Sequence, residues 1–160
     1  MAAIDHYINT IIDQGGHEAQ QDGSTAVEAH HLLLAIAAEQ ETGTRQVLTS
    51  AGLDHQAIRD ALDKEFEHSL GAAGVSLAAF DLPRPSSGAR RPSQMGASAK
   101  LALERGFASA SRKKDLRPVH LLLGIVQAQV GTVPRALALA GVDRAELIAR
   151  VLDALPDNGE

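Results

Sequence analysis

A six-residue apolar run that occurs twice constrains the fold of this chain more than any other feature. The run His-Leu-Leu-Leu-Ala-Ile begins at His31, and the run His-Leu-Leu-Leu-Gly-Ile begins at His120. An Ala-Gly-hydrophobic-Asp step follows each run at the same distance, at 51–54 and 140–143, so the halves align without a gap at an offset of 89 residues. Such an internal repeat indicates two copies of one supersecondary unit.

Apolar residues recur at helical spacing around both runs, so each half predicts four helices. In the first half we expect one helix over 4–15 or over 4–21, and a second that starts near Glu28 and holds the leucines. Gly52 suits the left-handed residue that ends a short third helix, and Asp54 suits the N-cap of a fourth. The second half repeats this order. There Pro118 suits the first residue of the leucine helix, Thr132 the N-cap of the short helix, Gly141 the residue that ends it, and Asp143 the N-cap of the last helix.

The composition indicates how these helices pack. Hydrophobic residues make up 44% of the chain but aromatic residues only 2%, so small and aliphatic side chains must fill the core. One unit holds few large apolar residues, so we expect an all-α tandem repeat in which two four-helix units, eight helices in all, share a core around a pseudo-two-fold axis. The predicted parts are a first repeat (1–70), a Pro-, Gly- and Ser-rich linker (71–98), a second repeat (99–155) and a tail (156–160).

Charge and missing motifs argue against several classes of function. The net charge of −5 disfavours a nucleic-acid-binding protein, and the absence of cysteine excludes disulfides and thiol chemistry. No apolar run approaches the ~20 residues of a membrane span, and there is no secretory n-region and no phosphate-binding Gly-x-x-x-x-Gly-Lys sequence. No Ser-His-Asp or paired-carboxylate arrangement stands out. We therefore expect a cytoplasmic protein without catalytic residues, metal or cofactor.

Several polar and aromatic residues allow two interpretations. His31 and His120 each lead an apolar helix, and we expect each to make a local hydrogen bond there, since a metal needs three or four converging ligands. His30 should point about 100° away from its neighbour on a helix, which disfavours a shared metal. The basic cluster at 112–117 is expected to be a solvated turn; the alternative is a docking site for an acidic patch on a partner. Phe107 is expected in the core.

The two leucine runs, with the Ala-Gly-x-Asp step after each, resemble the Clp N-terminal domain, the double four-helix repeat at the front of bacterial Clp unfoldases. The resemblance is nearest to the ClpC type and runs from about Ile4 to Leu155. It implies a non-catalytic domain that recruits substrates and adaptor proteins to an ATPase ring. Similar actinobacterial domains bind cyclic peptide antibiotics, and some stand alone, so a free-standing modulator or decoy beside a Clp protease is also implied.

The resemblance also implies where partners bind. In related domains a peptide groove follows the first helices of both repeats, which here places partner-binding residues at Ile4, Tyr7, Ile8, Ile11, Ala97, Lys100 and Leu101. Phe80 is a separate candidate for partner contact, because it lies in the linker and is expected to be exposed. The family usually has Thr-Glu-His before the leucines, whereas these copies read Ala29-His30-His31 and Pro118-Val119-His120. Without a glutamate to pair with a guanidinium group, phosphoarginine recognition is not expected.

Two other classes of function stay open. A small helical enzyme or ligand-binding bundle would need a deep polar pocket with titratable groups of shifted pKa, whereas an interaction domain needs shallow grooves. A DNA-associated helical protein is a weaker alternative, because the chain is acidic overall.

Overall fold

The structure is a computed structural model that describes residues 3–39, 43–72, 74, 90–92 and 94–155. This described part contains eight α-helices and a 3₁₀ turn at Lys113–Asp115. No helix in it is long and apolar enough to span a bilayer. The predicted partner-binding residue Phe80 lies outside the described residues. The helices are α1 (Ala3–Gln21), α2 (Ala29–Ala38), α3 (Gly43–Ser50), α4 (His55–Ala72), α5 (Ala97–Ser109), α6 (Pro118–Val126), α7 (Thr132–Leu139) and α8 (Arg144–Asp153).

The two leucine helices, α2 and α6, form the centre of the molecule. Every residue over 31–37 and over 119–126 is buried, because consecutive apolar residues cover more than one helix face. Besides its own repeat, α2 contacts α5, α6 and α7, and α6 contacts α1 and α3. Buried residues of both repeats therefore belong to one cluster. The predicted all-α fold of two four-helix units with a shared core is confirmed.

The local signals at helix ends act as the sequence predicts, with one exception. Asp54 and Asp143 each accept a hydrogen bond from the backbone N–H three residues later, at 2.8 and 3.2 Å. Gly52 and Gly141 have φ values of 78° and 77° and follow α3 and α7. Thr132 is not a cap: α7 begins at this residue, and the preceding glycine is the N-cap.

The backbones of α5 and α6 touch at a pair of glycines. A Cβ on Gly124 would overlap the carbonyl oxygen of Ala102 and lie 2.6 Å from the Gly106 nitrogen. Because the buried face of α5 consists of Ala99, Ala102 and Gly106, a large side chain has no place between the two helices. Phe107 lies outside this face and is 45% exposed, so the prediction that it belongs to the core is wrong.

The end of the linker is tied to the start of α2. The Val27 N–H donates to the carbonyl of Gln94, and the Val27 carbonyl accepts from the N–H of Gly96, both at 2.8 Å. The Ala29 N–H then donates to Ser98 Oγ at 2.9 Å. Composition gave no sign of this pairing, which places the start of α5 directly beside α2.

Candidate partner-binding grooves

The repeated histidines have the same local role in both repeats. His31 Nδ1 accepts a hydrogen bond from the Glu28 N–H, and His120 Nδ1 accepts one from the Arg117 N–H, each at 2.9 Å. Each histidine is the third residue of its helix, so it satisfies a backbone N–H that has no partner within the helix. Burial lowers the pKa of His120 below its usual value. The predicted hydrogen bond at each helix start is confirmed.

The first repeat adds a set of ionic contacts, here named the charge cluster: Glu18, Asp22, His31, His55 and Arg59. His31 Nε2 lies 2.9 Å from Asp22 Oδ2, and His55 Nε2 lies 2.7 Å from Glu18 Oε1. The Arg59 guanidinium contacts both acids, with 2.6 Å to Asp22 Oδ1. Burial alone would raise the pKa of Asp22, but the His31 hydrogen bond and the Arg59 charge lower it overall. The cluster joins α1, α2 and α4.

His30 lies beside the charge cluster, and its geometry differs from expectation. Its ring centroid is 4.1 Å from that of His31, so the two side chains do not diverge. Burial, with the neighbouring His31, lowers the pKa of His30 to about 3, which leaves the ring neutral near pH 7. Asp22, His30 and His31 bring one potential ligand atom each within 4.8 Å of one another.

These three side chains fit a metal poorly. A metal on His31 Nε2 would move the ring proton to Nδ1, where the Glu28 N–H already donates. Asp22 is also neutralised by the Arg59 guanidinium, which would repel a cation. The arrangement therefore favours a structural role for this part of the charge cluster.

An open groove of about 640 Å³ lies between the start of α1 and the turn before α6. Its floor is apolar and its rim is basic, and we name it the basic groove. The turn is exposed, as predicted, with the Lys113 side chain 76% accessible, but it also forms one wall of this groove. The lining residues are Ala3, Ile4, Asp5, Lys113, Lys114, Leu116, Arg117 and Pro118.

A second groove, of about 490 Å³, lies between the end of α1, the middle of α4 and the start of α7, and we name it the polar groove. His30, Arg59 and Glu65 line it. Arg59 belongs to the charge cluster, and Glu65 Oε1 accepts from Arg135 Nε at 2.9 Å and from Ser69 Oγ at 2.7 Å. Asp22, Arg59 and Glu65 in this groove are thus each paired with a group of opposite charge.

The predicted partner-binding residues of α1 are accessible to different degrees. Ile4 lines the basic groove, whereas Ile11 is 1% exposed and lies in the core, where a partner cannot reach it. Tyr7 and Ile8 are partly buried and pack against the core. The Tyr7 hydroxyl is buried and has no hydrogen-bond partner among the residues that the structure describes, and burial, with the Glu39 charge, raises its pKa.

The predicted residues of α5 lie at the surface. Ala97, Lys100 and Leu101 are exposed, and Leu101 exposes 52% of its surface. They line neither the basic nor the polar groove, so the structure does not join them to Ile4 in one described groove. Phe80 lies outside the described residues.

Comparison with known proteins identifies the fold and the family. The family model of the Clp repeat (R) N-terminal domain matches residues 4–81. The structure resembles the N-terminal domain of the caseinolytic protease associated chaperone ClpD from Arabidopsis thaliana, with a TM-score of 0.63, 22% identity and coverage of 92% of this chain and 94% of that chain. No curated protein sequence matches the chain. The first repeat therefore matches the Clp repeat N-terminal domain family, and the two repeats together have the fold of that domain.

Proposed function

We propose that the chain is a non-catalytic module that binds substrates or adaptor proteins of a Clp unfoldase–protease system. Family and fold support this proposal, and the observation that carries it is the exposed apolar surface of α5. Leu101 is 52% exposed while the opposite face of α5 is buried against α6. A large apolar side chain held outward on a well-packed helix can anchor a partner that buries its apolar surface.

The same proposal includes more specific roles for the module, its location and its ligands. The module recruits partners in the cytoplasm, either as part of a longer unfoldase or as a separate modulator or decoy, and cyclic peptide antibiotics are candidate ligands. Of the predicted partner-binding residues, Ile4 on α1 and Ala97, Lys100 and Leu101 on α5 are accessible, whereas Tyr7 and Ile8 are partly buried. Ile11 contributes only by supporting α1 from the core.

The polar groove does not favour the alternative of a small enzyme. Two groups that line it have shifted pKa values: burial keeps His30 neutral, and, despite burial, the contacts with His31 and Arg59 lower the pKa of Asp22. Arg59 and Glu65 are engaged with partners of opposite charge. These contacts stabilise the fold and leave these groups without the free acid–base pair that catalysis needs.

A pull-down from native cytosol tests the proposal, with Leu101→Lys as the variant and Leu152→Lys as its control. Leu152 lies on α8 with 47% exposure, so the two substitutions change similar amounts of apolar surface. We expect wild type and Leu152→Lys to retain Clp subunits or their adaptors, and Leu101→Lys to retain about fivefold less, as for an interface anchor. Tyr7→Ala is a poorer probe because Tyr7 packs against the core.

Equal recovery of Clp components by both leucine variants would show that α5 is not the binding surface. Recovery of a metabolite in place of any Clp component would favour the ligand-binding alternative. Mass spectrometry of the eluate separates these outcomes, and circular dichroism confirms that both variants are folded.

A further inference from the structure

The basic groove carries more positive charge than its own contacts neutralise. Lys113 Nζ lies 3.5 Å from Asp5 Oδ1, which is the one carboxylate among its described lining residues. Arg117 Nη1 donates to the backbone carbonyls of Lys114 and Leu116, at 2.8 and 3.0 Å. These partners of the guanidinium are therefore uncharged carbonyl groups. Lys114 is exposed at the rim. Three cations thus face one carboxylate, in a chain whose net charge is −5.

Leu116 in this groove and Val27 in the first repeat are corresponding residues, but their backbone contacts differ. Val27 precedes α2 as Leu116 precedes α6. At Val27, residues 94–96 lie extended and make two backbone hydrogen bonds before α5 begins. At Leu116, the N–H donates instead to the carbonyl of Lys113 at 3.1 Å, and no described segment pairs with this residue as a strand. The start of α1 and Leu116 line the open groove.

We propose that the basic groove binds an extended acidic segment of a substrate or adaptor protein. The segment would lie along the open groove, with an apolar side chain over Ile4 and Leu116 and carboxylates near Lys113 and Lys114. Extended peptides bind in this way when alternate side chains enter a groove and the others face its rim. This inference rests on the proposed function and adds the chemical class of the partner.

Fluorescence anisotropy of the purified chain with two labelled peptides tests whether the chain prefers an acidic segment. One peptide alternates Glu with Val and Ser, and the other has Lys in place of every Glu. We expect the acidic peptide to bind and the basic peptide not to bind. Because the recognition is ionic at an exposed rim, the affinity for the acidic peptide should fall as salt is raised.

Charge-reversal variants test whether the acidic peptide binds in the basic groove. Lys114→Glu changes the groove rim, and Lys64→Glu makes the same change on the exposed surface of α4, outside the groove. We expect Lys114→Glu to weaken binding of the acidic peptide about three- to tenfold and Lys64→Glu to leave it unchanged, given the usual strength of exposed ion pairs. Neither lysine packs in the core, so both variants should fold.

Three outcomes would overturn the inference: equal binding of the two peptides, equal effects of the two reversals, or a dimer that Lys114→Glu dissolves while no peptide binds. Sedimentation equilibrium detects the dimer, which would make a second copy of the chain the occupant. The proposed function is tested separately, because the Leu101→Lys pull-down concerns α5. Clp recovery that depends on Leu101, together with no binding of the acidic peptide, would refute this inference alone.

Discussion

The two repeats place the same leucine helix at their centres but close around it by different means. In the first repeat, Glu18 on α1 and Arg59 on α4 meet in the charge cluster. The residue equivalent to Arg59 in the second repeat is Ile148, which packs against the apolar core. There the closest approach is the backbone contact of α5 with α6 at Gly106 and Gly124. The comparison teaches that the fold requires a buried leucine helix in each repeat. Ion pairs complete this burial in the first repeat, and close backbone packing completes it in the second.

The largest expected effect comes from breaking the charge cluster. Arg59→Leu removes the guanidinium from the Glu18 side chain, which is 4% exposed and keeps only its contact with His55. We expect the free energy of unfolding to fall by about 3–4 kcal/mol, because an unpaired buried charge is costly. Urea unfolding at pH 7 measures this change.

The matched control is Arg150→Leu in the second repeat. Arg150 pairs with Glu146 at 3.6 Å on the surface of α8, so its loss should cost less than about 0.5 kcal/mol. If Arg59→Leu and Arg150→Leu lowered the free energy of unfolding by similar amounts, the proposed difference between the repeats would be contradicted.

A smaller effect is expected from the helix contact that distinguishes the second repeat. Gly124→Ala places a Cβ against the backbone of α5, and we expect a loss of about 2–3 kcal/mol because α5 and α6 must separate. Gly141→Ala is the control, since no atom lies within 4 Å and only its φ of 77° opposes the change. That control should cost about 1 kcal/mol. A milder effect at Gly124 would mean that α5 moves freely against α6. Thermal and urea unfolding of both variants provide the measurement.

The smallest expected effect is the pH dependence. The folded-state pKa values of His30, at about 3, and of His120 lie below the usual value of 6.5, so the unfolded chain takes up protons first as pH falls. Stability is therefore present above pH 6.5 and is lost below it, by about 1–2 kcal/mol between pH 7 and pH 5.5. The lowered pKa of Asp22 acts below the usual 3.8, outside this window.

Urea unfolding of wild type and His30→Gln at both pH values tests this expectation. The substitution keeps a polar side chain but removes its titration, so the difference between the two pH values should shrink. An unchanged pH dependence would assign the effect to His120 in the second repeat and remove this contrast between the repeats.

Sequence alone could predict the architecture because the repeat is carried by local signals. The leucine runs, the capping Asp54 and Asp143, and the glycines that end α3 and α7 each act within a few residues, so their meaning does not depend on the rest of the chain. The role of His31 and His120 was predictable for the same reason, since each bonds to the backbone three residues before it.

The contacts between distant elements could not be predicted in this way. Phe107 carries the right spacing for a core residue, but the approach of α6 to Gly106 decides which face of α5 is buried. The charge cluster left one signal that could have been read: Glu18 and Asp22 on one side, and His55 and Arg59 on the other, are spaced four residues apart, as facing helical stripes would be. The basic groove needed the relation between α1 and the second repeat, which no local pattern contains.

The bonds of Val27 with the segment before α5 have a consequence for how such a chain can change. They set where the second repeat begins, so its position does not depend on the length of the preceding connection. Doubling a flexible connection costs only about 0.6 kcal/mol of closure entropy. Evolution, or an engineer adding a tag or a recognition sequence, can therefore insert residues ahead of this anchor and leave the relation between the two halves intact.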